Sequence, residues 1–352
     1  MSTPSRTRVP VIYGTGGFGK PGPRSNGARI HTVADAHTVL DVYFARGYTT
    51  LDTARLYGGG TSEEFLGEMD LPQGVTIDTK AFPGHAGAFS ASGIRACLEA
   101  SLRALAGKKI RTFYLHAPDR GTPVEETLKA IDELYKEGRF EEFGLSNHSV
   151  SQLANVIRVC NEHGRIKPAI YQDCYNAIER DVEDEIIPLL RAHSIRFYAY
   201  SPLAGGILTP RIHTLGAVKD ACHGTSSNDD GGKGGSEKLA GTRWDISNSH
   251  QAPLLYQNYG WMIESGAVHK LAGELENLDP PIPLAQAAQR WLQHHSRLDP
   301  ARGDAVVLGA ATAPQLERNL DDCEMGPLPD DALQLVNDAW RKLKEFAPKV
   351  VS

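Results

Sequence analysis

Three short stretches bring four chemically useful side chains to, or just past, the ends of predicted strands: Asp52 and Tyr57 in LDTARLY, Lys80 in TIDTKA, and His116 in FYLHAPD. A tyrosine keeps its phenolic proton until about pH 10, so it is a weak acid at neutrality. A lysine ammonium beside it favours the phenolate and eases proton donation. At about 4 Å and an effective dielectric near 20, such a pair interacts by roughly 4 kcal/mol before desolvation is counted. Asp52 can keep the lysine charged and in place, and His116 can hydrogen-bond a carbonyl oxygen or the phenol. Taken singly, Asp52 reads equally as a turn residue, Tyr57 as a packing aromatic, Lys80 as a solvated strand end and His116 as a cap before Pro118. Taken jointly at successive strand ends, they point to protonation of a carbonyl oxygen.

A second constellation suits a nicotinamide. Gly144-Leu145-Ser146-Asn147 closes the fifth predicted strand and Gln172 lies in the sixth, so three amide-recognising side chains converge from adjacent strands. Tyr200 offers its ring as a platform for the pyridine, although Tyr198 shares its side of the strand and a plain core stack is the competing reading. The backbone N–H groups of Ser201, Leu203 and Gly205, in SPLAGG, sit near a glycine turn suited to phosphates. Phe18, Leu56, His85, His116, Trp244 and Tyr256 are candidates for the substrate pocket walls. GTGGFG, from Gly14 to Gly19, matches the dinucleotide fingerprint in letters only. Lys20-Pro21-Gly22-Pro23 follows and forbids the helix whose N-terminus would face a pyrophosphate, so the run reads as a strand end with a tight turn.

Those residues need a scaffold, and the bulk properties limit which. At 352 residues the chain suits one large α/β domain or two ordinary ones. A net charge of −6 without a basic cluster argues against nucleic acid or an anionic membrane as partner. No run approaches the roughly 18 apolar residues of a membrane span, and MSTPSRTRVP is too polar and proline-broken for an export signal. The five cysteines are scattered without a C-x-x-C pair, which argues against a metal or disulfide framework and for a reducing cytoplasm. His31, His37, His193, His294 and His295 lack spaced partners and read as surface or cap residues.

Strand-like runs recur at Val9–Tyr13, Tyr48–Thr53, Val75–Ala81, Ile110–His116, Phe140–Ser146, Pro168–Tyr175, Ile195–Ser201 and Asp304–Ala310, with amphipathic helical patterns between them. Thr122-Pro123-Val124-Glu125 predicts a capping box ahead of a helix that stops at Gly138. Ser149 with Gln152 predicts another, ahead of a helix buried through Leu153, Val156, Ile157 and Cys160. Helices are also expected over Trp261–Glu276 and Leu284–His295. The alternation without a compositional break predicts a closed (β/α)8 TIM barrel as a single domain over residues 1–352, with an open doubly wound sheet as competitor. Between strands seven and eight, the Gly/Ser-rich stretch 219–240 predicts a mobile loop.

On these residues the chain resembles the aldo-keto reductase superfamily from Val11 to about Ala339. FYLHAPDRGTPVEETL, YNAIERDVEDEIIPLLR, YSPLAGGIL and GDAVVLGAATAPQLERNL resemble its aflatoxin-aldehyde reductase branch. The resemblance implies a (β/α)8 barrel binding NADPH without a Rossmann domain, with NADH left open, and reducing a small-molecule aldehyde or ketone. Tyr57 would be the general acid, supported by Asp52, Lys80 and His116. Ser146, Asn147 and Gln172 would hold the carboxamide, and Tyr200 would stack on the ring. The last strand departs from the superfamily pattern: Gly309, Ala310, Gln315, Arg318 and Asn319 stand where a lysine-serine pair, an arginine and a glutamate-asparagine pair are usual. Arg318 is therefore the candidate for a ribose 2′-phosphate, with Arg211 and Arg243 as alternatives. The branch also implies a homodimer. Two other functions share these residues: a regulatory subunit resembling potassium-channel β-subunits, and a reductase dedicated to one secondary metabolite.

Overall fold

The computed structural model describes residues 6–22, 25, 27–210, 244 and 252–346. Eight parallel strands close on themselves: β1 (Val11–Gly14), β2 (Thr50–Asp52), β3 (Thr76–Ala81), β4 (Ile110–Leu115), β5 (Glu142–Ser146), β6 (Ile170–Cys174), β7 (Arg196–Tyr200) and β8 (Ala305–Leu308), each paired with its chain neighbour and β8 with β1. Seven lie within predicted runs, and β1 runs one residue past its own, to Gly14. The strand ends are shorter than predicted because the apolar pattern extends into loops that have left the ladder. Inward-facing Ile12, Tyr114, Ile170, Tyr198, Ala305 and Val307 pack together as the barrel's apolar interior. At Gly144 the barrel has no room for a side chain, since a Cβ there would lie 2.4 Å from the Tyr114 ring.

The helices follow their sequence grammar closely. In α1 (Val124–Lys136), Leu128, Ile131 and Leu134 are buried on one face, each worth about 1.5–3 kcal/mol of transfer free energy. Its predicted capping box does not form. Pro123 is the N-cap, and the Thr122 hydroxyl donates to Asp119 (2.7 Å) instead. The box at α2 (Val150–His163) does form: Gln152 N–H donates to Ser149 Oγ (3.3 Å) and Ser149 N–H to Gln152 Oε1 (2.9 Å). GTGGFG ends β1 in a 3-10 turn over Thr15–Gly17, and among the described residues the next helix begins at Val33.

By packing, the chain forms two compact units. One comprises Met1–Cys174, Asp181–Tyr200 and Arg297–Leu316 and holds the whole barrel; the other comprises Tyr175–Arg180, Ser201–Ser296 and Glu317–Ser352. Within the second unit, the Arg180 guanidinium lies 4.0 Å over the Trp291 ring and donates to Asn337 Oδ1 (2.8 Å). The helix expected over Trp261–Glu276 is instead two, α3 (Ala252–Glu264) and α4 (Ala267–Glu276), broken where Gly266 takes φ 68°. The 219–240 loop lies outside the described residues. Among the described residues, no helix is long and apolar enough to cross a membrane and no side-chain group has the make-up of a metal site.

Candidate active site

Three of the four proton-handling residues are placed directly by strands at the barrel's C-terminal mouth, where barrel enzymes keep their chemistry. Asp52 ends β2, Lys80 is the penultimate residue of β3, and His116 follows β4, its N–H donating to Ala81 O (2.8 Å). Tyr57 comes from a loop that is tied down by its own hydrogen bonds. Thr53 N–H reaches Asp78 O (2.8 Å) and Arg55 N–H reaches Lys80 O (3.1 Å), so the β2 backbone keeps contact with β3 past its strand end. Arg55 then donates to Glu63 Oε2 (2.5 Å), whose other oxygen accepts from Thr79 (2.6 Å). After Tyr57 the chain turns through Gly58 at φ 57°, where a Cβ would meet Gly19 Cα and Phe18 O at 2.8 Å. Only glycine meets both demands.

At the centre, Lys80 Nζ donates to Asp52 Oδ2 (2.5 Å) and to Thr53 O (2.9 Å), with both charged side chains buried. The same ammonium stands 5.2 Å from the Tyr57 ring centroid and 5.6 Å from that of Tyr114. Burial pulls the lysine down, but Asp52 and the Tyr57 phenol outweigh it, so Lys80 is held above its ordinary range and stays a cation. His116 meets the edge of Tyr57 at 5.7 Å and of Phe82 at 5.6 Å. Burial, and then the Lys80 charge, push its imidazole down to about 3, so it is neutral at working pH. A neutral imidazole can orient and hydrogen-bond a ligand.

The carboxamide candidates are joined to this cluster. Gln172 Nε2 donates to Asp52 Oδ1 (3.0 Å), so one carboxylate holds Lys80 on one oxygen and orients Gln172 with the other. Asn147, at φ 58°, donates to His116 O (2.8 Å) and Ser146 Oγ (2.9 Å), and accepts from the Tyr200 hydroxyl (2.8 Å). Behind this turn, Tyr171 donates to His148 O (2.5 Å) and Asp173 Oδ2 (2.8 Å), anchoring the β5 exit to β6. Nothing in the local sequence singles out Tyr171 or Asp173 for this role. Asp119 was missed too. Its carboxylate accepts from Gly87 N–H (3.0 Å) and Phe89 N–H (2.8 Å), clamping the loop that leaves β3 to the one that leaves β4.

The remaining candidates scatter. Phe18 is fully buried against Tyr13, Leu56 is half-buried, and His85 is exposed. In the barrel unit, Gly309 is exposed, and Gln315 Oε1 accepts from Ala311 N–H (2.9 Å). In the second unit, Ala204 and Gly206 N–H are engaged by Ser201 O and Leu203 O (2.9 and 2.8 Å), which leaves the phosphate reading to the amides of Leu203 and Gly205 and to Ser201. Trp244 is fully buried and donates to Gly205 O (3.0 Å), bracing that turn. Arg318 is exposed, while Asn319 is buried with its Nδ2 lacking a partner among the described residues. Arg211, Arg243 and the Tyr256 side chain lie outside the described residues.

A closed parallel barrel with a buried ammonium, a phenol and an imidazole at the C-terminal ends of its strands has the layout of the barrel enzymes, which keep their chemistry at that face. The chain belongs to the aldo/keto reductase family, whose family model matches residues 10–341. Membership makes it an oxidoreductase that acts on carbonyl compounds with a nicotinamide cofactor. It is 37% identical over 356 residues to human aflatoxin B1 aldehyde reductase member 2, covering 99% of this chain and 91% of that one. An aldo-keto reductase of Pseudocercospora fijiensis is 37% identical over 319 residues, covering 87% and 97% of the two chains. The aldo-keto reductase pigE of Monascus ruber is 33% identical over 351 residues, covering 96% of each.

Proposed function

We propose that the protein is an NADPH-dependent reductase of an aldehyde or ketone in which Tyr57 protonates the carbonyl oxygen. The observation that carries this reading is the Lys80 ammonium, buried on Asp52 and 5.2 Å from the Tyr57 ring centroid. A cation so placed stabilises the phenolate left behind, and the low-dielectric surroundings magnify its effect. Neutral His116 supports the same step by hydrogen-bonding the substrate oxygen and setting its approach to the phenol.

The residues present fit a nicotinamide. With Gln172 Nε2 committed to Asp52, its Oε1 is the end left to accept from a carboxamide NH2, while Ser146 and Asn147 lie one strand away. His116 Nδ1 is buried without a partner among the described residues, which marks an interior still open to a polar group. When bound, the reduced cofactor supplies the hydride to the carbonyl carbon. Tyr200, tethered to Asn147, offers its ring beside the same turn. Arg318 is the proposed contact for a 2′-phosphate, the feature that separates NADPH from NADH.

The test is Tyr57→Phe. Loss of the acid lowers kcat for aldehyde reduction by about 10²- to 10⁴-fold while cofactor binding, read by quenching of protein fluorescence, stays within a few-fold of wild type. Turnover close to wild type in that variant removes Tyr57 from the mechanism.

A further inference from the structure

A second ion pair lies in the barrel below the proton-handling cluster. Side chains alternate along β3, so Asp78 faces the interior two residues before Lys80. Across the ladder Asp78 is the register partner of Asp52, and both are buried. Two carboxylates therefore enter the same interior from adjacent strands, one with Lys80 as its counter-ion. The other is met by Arg111, and the way Arg111 arrives is specific. Ile77 pairs with Ile110 but Asp78 pairs with Thr112, so Arg111 is the extra residue of a bulge in β4. Bulges re-aim side chains beside active sites. Here the bulge lets consecutive residues address one carboxylate: Arg111 donates through Nε to Asp78 Oδ1 (2.8 Å) and through its terminal nitrogen to Oδ2, and Thr112 adds a hydrogen bond.

The groups facing this pair are few. They are Asp52 from β2, Lys80 from β3, Tyr114 from β4 and Tyr198 from β7, which also hydrogen-bonds Arg111, together with Tyr43 from the helix over Val33–Ala45 and a separate Glu142–Arg196 pair (2.6 Å) joining β5 to β7. As packing, an apolar pair of similar volume would serve as well or better, because a buried ion pair contributes little net stability. As electrostatics it cannot be exchanged so freely, since an unpaired carboxylate on the face of Lys80 would compete with Asp52 for the ammonium.

We propose that Asp78 and Arg111 form a positioning ion pair for the proton-donor cluster, Arg111 cancelling the second carboxylate so that Asp52 is the sole counter-ion of Lys80. This rests on the assignment of Tyr57 as the acid. Asp78→Asn leaves the Arg111 cation, which cannot shed its proton, without its carboxylate partner, and takes from Lys80 the carboxylate that stands two residues before it on β3. The alkaline limb of kcat/KM for carbonyl reduction, where the acid loses its proton, then moves down by about one pH unit. In the double variant Asp78→Asn/Arg111→Met both charges are gone and the limb returns to its wild-type position. A folded Asp78→Asn enzyme with an unmoved limb, or a double variant that keeps the shift, overturns the proposal; a purely structural pair would change melting temperature in both and the limb in neither. Should Asp78→Asn not fold, Arg111→Met supplies the opposite sign, an upward shift, and a limb that stays in place again overturns the proposal. Tyr57→Phe keeps the two readings apart: turnover retained there sinks the assignment of the acid, whereas an inactive Tyr57→Phe with an unmoved Asp78→Asn limb sinks only the role of the ion pair.

Discussion

The proposed division of labour between His116 and Tyr57 rests on burial and on one ammonium near both. Burial first, and then the Lys80 charge, hold the imidazole neutral, while in the proposed step the same ammonium stands beside the phenolate that Tyr57 would leave. His116 therefore gives no limb near pH 6.5 in the kcat/KM profile, and a break there that vanishes in His116→Gln would contradict the neutral imidazole. Stability carries the complementary sign. Because the folded His116 resists protonation down to about 3, the unfolded chain binds more protons as pH falls below the ordinary histidine range. Stability present above about pH 6.5 is lost progressively on acidification, by at most about 1.4 kcal/mol per unit from this group. Buried His148, also shifted down by burial, adds to the slope in the same direction. His116→Gln should flatten part of the fall in urea-unfolding free energy between pH 7 and 5 and leave the remainder.

Short strands place these residues, and the loops between elements decide how firmly. Asp119 stands at the exit of β4 and ties back the Gly87–Phe89 segment that leaves β3, the same loop that begins with Phe82 beside His116. Its carboxylate, in spite of burial, is drawn down to about 2 by hydrogen bonds from Phe89, Gly121, Thr122 and Gly87. It thus supports the loop at any pH above the usual carboxylate range and lets go as pH falls toward 2. Hydrogen bonds to a charged acceptor are worth about 1.5–3 kcal/mol, so Asp119→Asn should speed hydrogen exchange at Gly87 and Phe89 by about 10- to 100-fold. Unchanged protection would mean that the loop is held by its packing alone. The strands and the helix stripes were legible because periodicities of two and 3.6 residues survive in a single sequence; Asp52, Lys80 and His116 drew notice because they stand at strand ends, and Tyr57 because it follows one on its loop. Most of what the sequence concealed has a common character. The β4 bulge that aims Arg111 at Asp78 and the Tyr171 anchor to His148 pair segments distant in sequence, and no local pattern encodes such a partner; the Thr122 hydroxyl, taken by Asp119 only three residues earlier, was instead lost from the helix cap to a local competitor.

For the molecule as a whole, a ligand that binds only the folded state raises its stability by mass action, whatever the details of its contacts. The barrel unit holds the nicotinamide candidates Ser146, Asn147, Gln172 and Tyr200 on strands or at their ends, whereas Arg318 and Asn319 belong to the second unit. Cofactor binding should register as a rise in the unfolding temperature. At a concentration one hundred times Kd the gain is about 2.7 kcal/mol, enough to move a thermal unfolding midpoint by several degrees. NADPH should give a larger rise than NADH at equal concentration, because a guanidinium grips a phosphate monoester bidentately and has no such hold on a hydroxyl. Replacing Arg318 with Met should bring the two midpoints together by lowering the NADPH value while leaving that for NADH in place. Equal midpoints in the unaltered protein would show that this chain does not discriminate at the 2′ position, and a preference that survives the Met variant would move the phosphate contact to another cation.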